Sequence, residues 1–441
     1  MKKTILFRTF KTTEASFPFE KTHSTSLFPV GNIPNLVRLV RLVSEQNDQL
    51  DFRVLVAERP SDYRFHLQDL EVEFFDSLEP ALADLQDVVV IDSDRYFTKE
   101  MIEIILQLPA NTLLVQSKSE QFKSIHGMGI ETQENQVTKV IGHGRDHYVD
   151  YMLAGAMVLN HEVLKNVGKT PLGMDEISTG GMPYQKLYLE NVVQQALYQG
   201  ALVHFKKTDD LVLDLSYPWH LLQANQLETK TSFESSYDQN QVDETCVIKG
   251  SLVLGKNSRI EHHCIIKGNV RVGDNTLISS GVVIEGDVII GNDCVIQNYA
   301  LITKNTVIGH GVKLGFHAEV GGVLMNRCAI VHQCEVYGVI GRRVDVGAGT
   351  LVGTLRFDDQ ETTIRVQGRL LANKSTSVAF IGDYSRTGIG NIILPGVRIG
   401  SYCSIGPGAV LEKDIDHEQL VLVQQEKHYR AWSPAKYGWK K

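Results

Sequence analysis

IEHHCIIKGNVRVGDNTLISSGVVIEGDVIIGNDCVIQNYALI, residues 260–302, returns to an aliphatic residue at every sixth position. The series runs Ile260, Ile266, Val272, Ile278, Ile284, Ile290, Ile296, Ile302; it extends back through Leu254 and Ile248 to Val242 and forward through Ile308 to Leu314. Four residues after each aliphatic stands a small or slim one, such as Cys264, Val270, Thr276, Cys294, Ala300 and Ala318, and Gly, Asn and Asp crowd the turns. This grammar predicts a parallel β-helix. Three short strands make one triangular coil, the aliphatic points inward, and the slim residue fits the corner. Coils then stack at the strand-pairing distance of about 4.8 Å. The phase breaks after Leu314, resumes at Ile340 and Val346, and returns at Ile381, Ile393, Ile399, Ile405 and Leu411. Residues 354–380, TLRFDDQETTIRVQGRLLANKSTSVAF, do not fit and are expected to leave the coil as an arm.

Upstream the pattern is different. FRVLVAE (52–58), VVVID (88–92), TLLVQ (112–116) and YMLAGAMVL (151–159) read as buried strands, and NLVRLVRLVSEQ, TKEMIEIILQL and LYLENVVQQALYQG carry apolar residues at helical spacing. Alternation of this kind predicts an α/β, Rossmann-like domain with a largely parallel sheet, whose ligands sit beyond the carboxyl ends of the strands. The boundaries expected are an α/β domain over 1–228, a linker over 229–241, the β-helix over 242–415 with its arm, and a basic, aromatic tail over 416–441.

With 441 residues, 43% of them hydrophobic and 22% charged, the chain has ordinary globular composition. A formal charge of −8 speaks against nucleic acid or an anionic membrane as the main partner. The opening MKKTILFRTF is too short an apolar stretch for a signal peptide, so a cytoplasmic location is expected. The six cysteines lie between 246 and 403 without CxxC spacing, which predicts thiols in the core, not a disulfide framework.

The repeat resembles the left-handed hexapeptide-repeat proteins, a resemblance that implies a homotrimer. EVGGVLMNRCAIVHQCEVYGVIGRRVDVGAGTLVGTLRFDD (319–359) resembles the acetyltransferase half of the bifunctional enzymes that make UDP-N-acetylglucosamine. That resemblance implies His332 as general base for acyl transfer from acetyl-CoA to an amino-sugar phosphate or nucleotide amino sugar. It places an oxyanion at Ala348-Gly349, acyl-CoA near Asp383, and the sugar near Tyr337 and Asp345. The family's phosphate-holding lysine is replaced by Gly321-Gly322, which leaves Arg342, Arg343 or Arg356 for the phosphate.

The first half resembles sugar-1-phosphate nucleotidyltransferases. SLFPVGNIP (26–34) matches the turn after the family's lysine, VVVIDSD ends at Asp94 in the first metal-ligand position, and DLSYPWHLLQANQ (214–226) sets Asp214 in the second. Magnesium would bind between these carboxylates if the site is active. The phosphate loop is degenerate, however: FRTFKTTEASF contains no glycine, the lysine slot reads Ser-Thr-Ser, and His143-Gly144 replaces the Glu-Lys element. Arg8, Lys11 and Lys21 are the nearby cations. Acyl transfer is therefore the expected activity. Nucleotidyl transfer, or a non-catalytic scaffold binding a nucleotide sugar, are the alternatives.

Overall fold

The computed structural model describes residues 3–46, 49–83, 85–119, 127–142, 145–170, 173–174, 185–186, 188–360, 362–366, 369–372, 377–430 and 432. His143 and Gly144, and the end of the basic tail (431 and 433–441), lie outside the described residues.

Among the described residues, nine strands form the main sheet of the first domain. In chain order they are β1 (Lys3–Arg8), β2 (Leu50–Leu55), β3 (Glu73–Phe75), β4 (Asp87–Asp92), β5 (Thr112–Gln116), β6 (Met128–Gln133), β7 (Gln136–Gly142), β8 (Tyr151–Asn160) and β9 (His204–Lys207). The spatial order is β3-β2-β1-β4-β8-β5-β9-β7-β6. β1, β2, β3 and β4 run parallel, whereas β8 is antiparallel to both β4 and β5. The sheet is thus mixed at its centre, where the sequence pattern predicts a largely parallel one. Its strands are apolar on both faces because helices cover both. One core gathers Phe7, Val54 and Ile91 with α1 (Asn35–Ser44) and α2 (Lys99–Leu106); the other gathers Leu6, Val90 and Leu113 with α3 (Leu189–Tyr198).

The second domain is a parallel β-helix. Ile260 pairs with Ile278 and Ile278 with Ile296, a coil of eighteen residues. The aliphatics of the six-residue series from Leu254 to Leu314 are buried in one column with Cys264, Cys294, Cys328, Cys334 and Cys403. Burying each such aliphatic side chain contributes about 2 kcal/mol relative to exposure. The cysteines are free thiols.

The phase break after Leu314 does not interrupt the helix. Leu314 pairs with Ile330 and Ile330 with Val346, so these coils hold sixteen residues. Two residues are lost at one corner, where strands Glu319–Leu324 and Glu335–Ile340 run straight through. Glycine permits this. Gly322 (φ +103°) and Gly338 (φ +139°) adopt conformations closed to other residues, and a Cβ on Gly338 would lie 1.8 Å from the Ala379 carbonyl oxygen. The arm follows: Val346 pairs across it with Thr387, and within it Thr363–Val366 and Arg369–Ala372 form an antiparallel hairpin. The stacking continues beyond residue 415, to Leu420–Val421 against Ser404–Ile405.

α4 (Pro218–Thr229) joins the domains. Trp219, Leu222 and Phe19 pack with Val323, Val339 and Phe380 of the β-helix and Ile364 of the arm. The flattened corner makes room for this helix, since a Cβ on Gly322 would approach Leu222 to 3.1 Å.

Candidate functional site

Each coil has three corners. The α/β domain packs on the face that includes Val323 and Val339, between the flattened corner and the corner carrying His310, Arg342 and Asp383. The remaining corner, opposite that face, carries Asn298-Tyr299, Phe316-His317, His332-Gln333 and Ala348-Gly349 in successive coils. Their second residues adopt the left-handed conformation (Tyr299 φ +59°, His317 +54°, Gln333 +57°, Gly349 +69°), which turns the chain within two residues. His332 is exposed there. Gln333 N–H donates to the Phe316 carbonyl (3.0 Å), and Gly349 N–H donates to that of His332 (3.2 Å), so His332 stands between Phe316 and Ala348. Tyr299 and Phe316 meet edge to face at 5.9 Å, and Phe316 stacks on His317 at 4.0 Å. An imidazole thus sits at the end of an exposed aromatic ladder.

The other residues expected around His332 are dispersed. Gly349 is adjacent, but its N–H is already engaged by the His332 carbonyl, which removes it as an oxyanion donor. Ala348 is adjacent, and its carbonyl accepts from Gly390 N–H (2.8 Å). Asp345 is exposed, in the strand leading to this corner, between Ala329 and Arg386 of the flanking coils. Tyr337 lies within the strand Glu335–Ile340, beyond the turn that carries His332. Its ring fills the space left by Gly321, and its hydroxyl bonds to Glu319; burial and that carboxylate push the phenol up. Arg356 sits on the arm, paired with Asp358 at 2.6 Å.

Arg342 and Asp383 are at a different corner and serve a different purpose. Asp383 is fully buried, accepts from Arg342 Nε (2.5 Å) and backbone N–H (3.0 Å), and lies 2.9 Å from His23 Nε2. Burial raises its carboxyl, but His23 and Arg342 outweigh that and hold it below the usual carboxylate range. Asp383 is therefore inaccessible to acyl-CoA, and Arg342 is committed to it and to the Thr22 carbonyl (2.8 Å). Together they brace the two domains. The same brace continues through Ser401 Oγ on the Pro18 carbonyl (2.9 Å), His417 on Glu20 (2.6 Å), and Arg398 over the Phe17 ring. Residues 17–23, at the end of the stretch corresponding to the phosphate loop and just beyond it, are thus docked on the β-helix.

Nor does the nucleotidyltransferase-like centre keep its metal geometry. Arg95 lies between the two carboxylates, ion-paired with Asp214 and 3.7 Å from Asp94. Gly155, with φ +84°, admits it: a Cβ there would meet Arg95 Cγ at 2.6 Å. Burial pushes Asp94 up to about 7 despite Arg95, with Asp214 and Asp92 adding to the rise. Asp214 is half-buried; burial raises it, but the closer Arg95 contact and the Ser216 N–H (2.9 Å) outweigh that and keep it below its ordinary value. A divalent cation does not fit between these groups while the guanidinium is there, and among the described residues no cluster of three or more His, Cys, Asp or Glu is arranged to hold one. Arg8 is likewise taken, clamped by Asp92 (2.7 Å) and Glu190 (2.7 Å). Lys21 pairs with Glu418 at 2.5 Å. Thr12 N–H, in the would-be phosphate loop, donates to the Glu58 carboxylate (2.9 Å), placing negative charge against a loop amide. Beyond β1, a cavity lined by Arg8, Phe10 and Tyr188 holds about 30 Å³, the space of a water. Sequence reasoning missed Arg95 and Glu190; the available signal was a basic residue directly after Asp94.

The bacterial transferase hexapeptide model (six repeats) matches residues 251–286, 269–304, 287–322 and 379–413, in keeping with a left-handed β-helix. A bifunctional sugar-1-phosphate nucleotidylyltransferase/acetyltransferase of Sulfurisphaera tokodaii is 41% identical over 114 residues, covering 25% of this chain and 28% of that protein. Over that stretch the chain is similar to these bifunctional proteins. A bifunctional protein GlmU of Methanococcus vannielii is 34% identical over 107 residues, 24% of this chain and 26% of that one. These matches span little more than a quarter of the relatives' own length. Among solved structures, a CTP:phosphocholine cytidylyltransferase from Streptococcus pneumoniae aligns with a TM-score of 0.40 at 13% identity, over 52% of this chain and 99% of that one. Among the described residues, no helix is long and apolar enough to cross a membrane.

Proposed function

We propose that this protein transfers an acyl group, acetyl in the simplest case, from acyl-CoA to the amine of an amino-sugar phosphate or nucleotide amino sugar at the His332 corner. The observation that carries the reading is the exposed imidazole at the corner facing away from the α/β domain. The region resembling a nucleotidyltransferase centre is, by contrast, filled by Arg8 and Arg95. In the reaction the amine nitrogen attacks the thioester carbonyl, the C–S bond breaks, and CoA leaves as the thiol. His332 accepts the proton the amine gives up and passes it to the departing sulfur, a task for which imidazole is suited near neutral pH. Ala348 N–H is the donor we assign to the developing oxyanion, and the Tyr299–Phe316 ladder offers a stacking surface to an adenine or sugar ring.

A homotrimer completes the site in this reading. The face adjoining the His332 corner has an outward row including Ile265, Leu351, Ile392 and Val410, each exposed. A second copy covering that row would wall the groove beside His332 and bring in the polar residues that a single chain leaves dispersed. The α/β domain acts as a bracket on the opposite face.

The test is acetyl transfer from acetyl-CoA to glucosamine 1-phosphate and to other amino-sugar phosphates, read as free CoA thiol. His332→Ala is expected to lower kcat by about 10²-fold or more without moving the thermal midpoint, because the side chain is exposed. Full activity in that variant would end the assignment.

A further inference from the structure

The cleft between the α/β domain and the β-helix has no part in the chemistry above. It encloses about 530 Å³, within the range of small-molecule sites. One wall is the turn Gly31-Asn32, where both residues have positive φ (+59° and +69°), followed by Ile33, Pro34, Val37 and Arg41 of α1. The other is formed by β-helix residues including Arg271, Ile289, Asn292 and His310, and His66 closes the rim. The turn is pinned from both sides: Asn32 Nδ2 donates to the Ile308 carbonyl (2.7 Å), and Gly31 N–H donates to Asn225 Oδ1 (2.9 Å).

The charge of this cleft is one-sided. Its lining includes two arginines and two histidines and no Asp or Glu. Arg271 is partly buried over the Phe233 ring and donates to the Glu228 carbonyl (3.1 Å), not to a carboxylate. The Glu228 carboxylate itself is taken by Arg38 (2.9 Å). Burial pulls Arg271 below its ordinary value, and the nearby Glu228 offsets this only in part. Arg41 forms no ion pair among the described residues. His310 Nδ1 accepts from Asn292 N–H (2.9 Å), which puts the ring proton on Nε2 as a donor. A partly buried guanidinium lining a cavity without a carboxylate in its walls suits an anion, while Ile33, Pro34, Val37 and Ile289 offer an apolar bed beside it.

From this juxtaposition we infer that the interdomain cleft binds a small phosphate ester, with Arg271 and Arg41 on the phosphate and the apolar wall against the rest of the molecule. Because its walls belong to different domains, the ligand fastens one to the other. The site is separate from the His332 corner, and either can fail without the other.

The experiment is isothermal titration of the full-length protein with inorganic phosphate, glucose 6-phosphate, UMP and unphosphorylated glucose. A phosphate ester is expected to bind with Kd below about 1 mM, glucose not at all. The tighter of glucose 6-phosphate and UMP tells a sugar phosphate from a nucleotide source. Arg41→Glu and Arg271→Gln should each weaken that binding tenfold or more, while His332→Ala leaves it unchanged. Arg41 is exposed, so its variant tests the site even if Arg271→Gln disturbs domain docking. Absence of binding by both esters, equal binding of glucose, or undiminished binding in Arg41→Glu would overturn the proposal.

Discussion

Asp94→Asn should make this protein more stable at pH 8 and change little near pH 4. The folded carboxyl titrates at about 7 against 3.8 for a free one, so between those values the folded state holds a proton that the unfolded state has released. Stability therefore falls as pH rises through this window, and the full penalty is present above pH 7. Three units correspond to about 4 kcal/mol as a ceiling. Asp94 shares Arg95 with Asp214, so part of the shift belongs to the pair, and about 1–2 kcal/mol is the expected gain at pH 8. Little is lost in exchange: Asp94 Oδ1 has no hydrogen-bond partner, and Arg95 keeps Asp214. Urea unfolding followed by circular dichroism at pH 4 and pH 8, with and without magnesium, measures the effect. A variant that is less stable at pH 8, or a magnesium-dependent stabilisation of the wild type that Asp94→Asn abolishes, would refute the reasoning. Either would mean that Asp94 is an ionised ligand and that a metal displaces Arg95.

Other perturbations test the architecture. Arg342→Ala removes the guanidinium from the fully buried Asp383 and leaves it the His23 ring at 2.9 Å. Because Arg342 is itself partly exposed, the expected cost is about 2 kcal/mol, below that of a fully buried pair. Limited proteolysis should then cut faster between the domains, and an unchanged cleavage rate would count against the brace. Gly338→Ala should abolish soluble expression, because the new Cβ overlaps the Ala379 carbonyl. Gly390→Ala, at φ +66° with no atom within 4 Å, should cost about 1 kcal/mol; equal thermal midpoints for the two variants would contradict the stacking described here.

Much of the fold was legible because it is written locally. Inward residues from Leu254 to Leu314 follow from spacing alone, as do the helices Asn35–Ser44, Lys99–Leu106 and Leu189–Tyr198. The sixteen-residue coils were not legible, since a shortened corner looks in sequence like a broken repeat. The meaning of Gly321-Gly322 was hidden for the same reason. Read as a missing lysine, the pair proves to sit in the flattened corner, Gly321 against Tyr337 and Gly322 against Leu222 of α4. The candidate site was legible only in part. His332 and Ala348 were placed together by the resemblance to the acetyltransferase half, since the repeat phase is broken around them. Arg342, Asp383, Tyr337 and Arg356 could not be placed from spacing, because position along a coil says which corner a residue occupies only where the coil length is constant.

The sequence by itself determined that this chain is an α/β domain followed by a β-helix, and that the phosphate loop lacks its glycines. Periodicity and glycine requirements are properties of neighbouring residues, and they survive without knowledge of the rest of the chain. Only the tertiary structure decided that Arg95 lies between Asp94 and Asp214, that Arg342 and Asp383 lock the domains, and that Arg41 and Arg271 face one cleft. Those charges are far apart in sequence, and each takes its effect from the low-dielectric surroundings and partners that exist only after the two domains have packed.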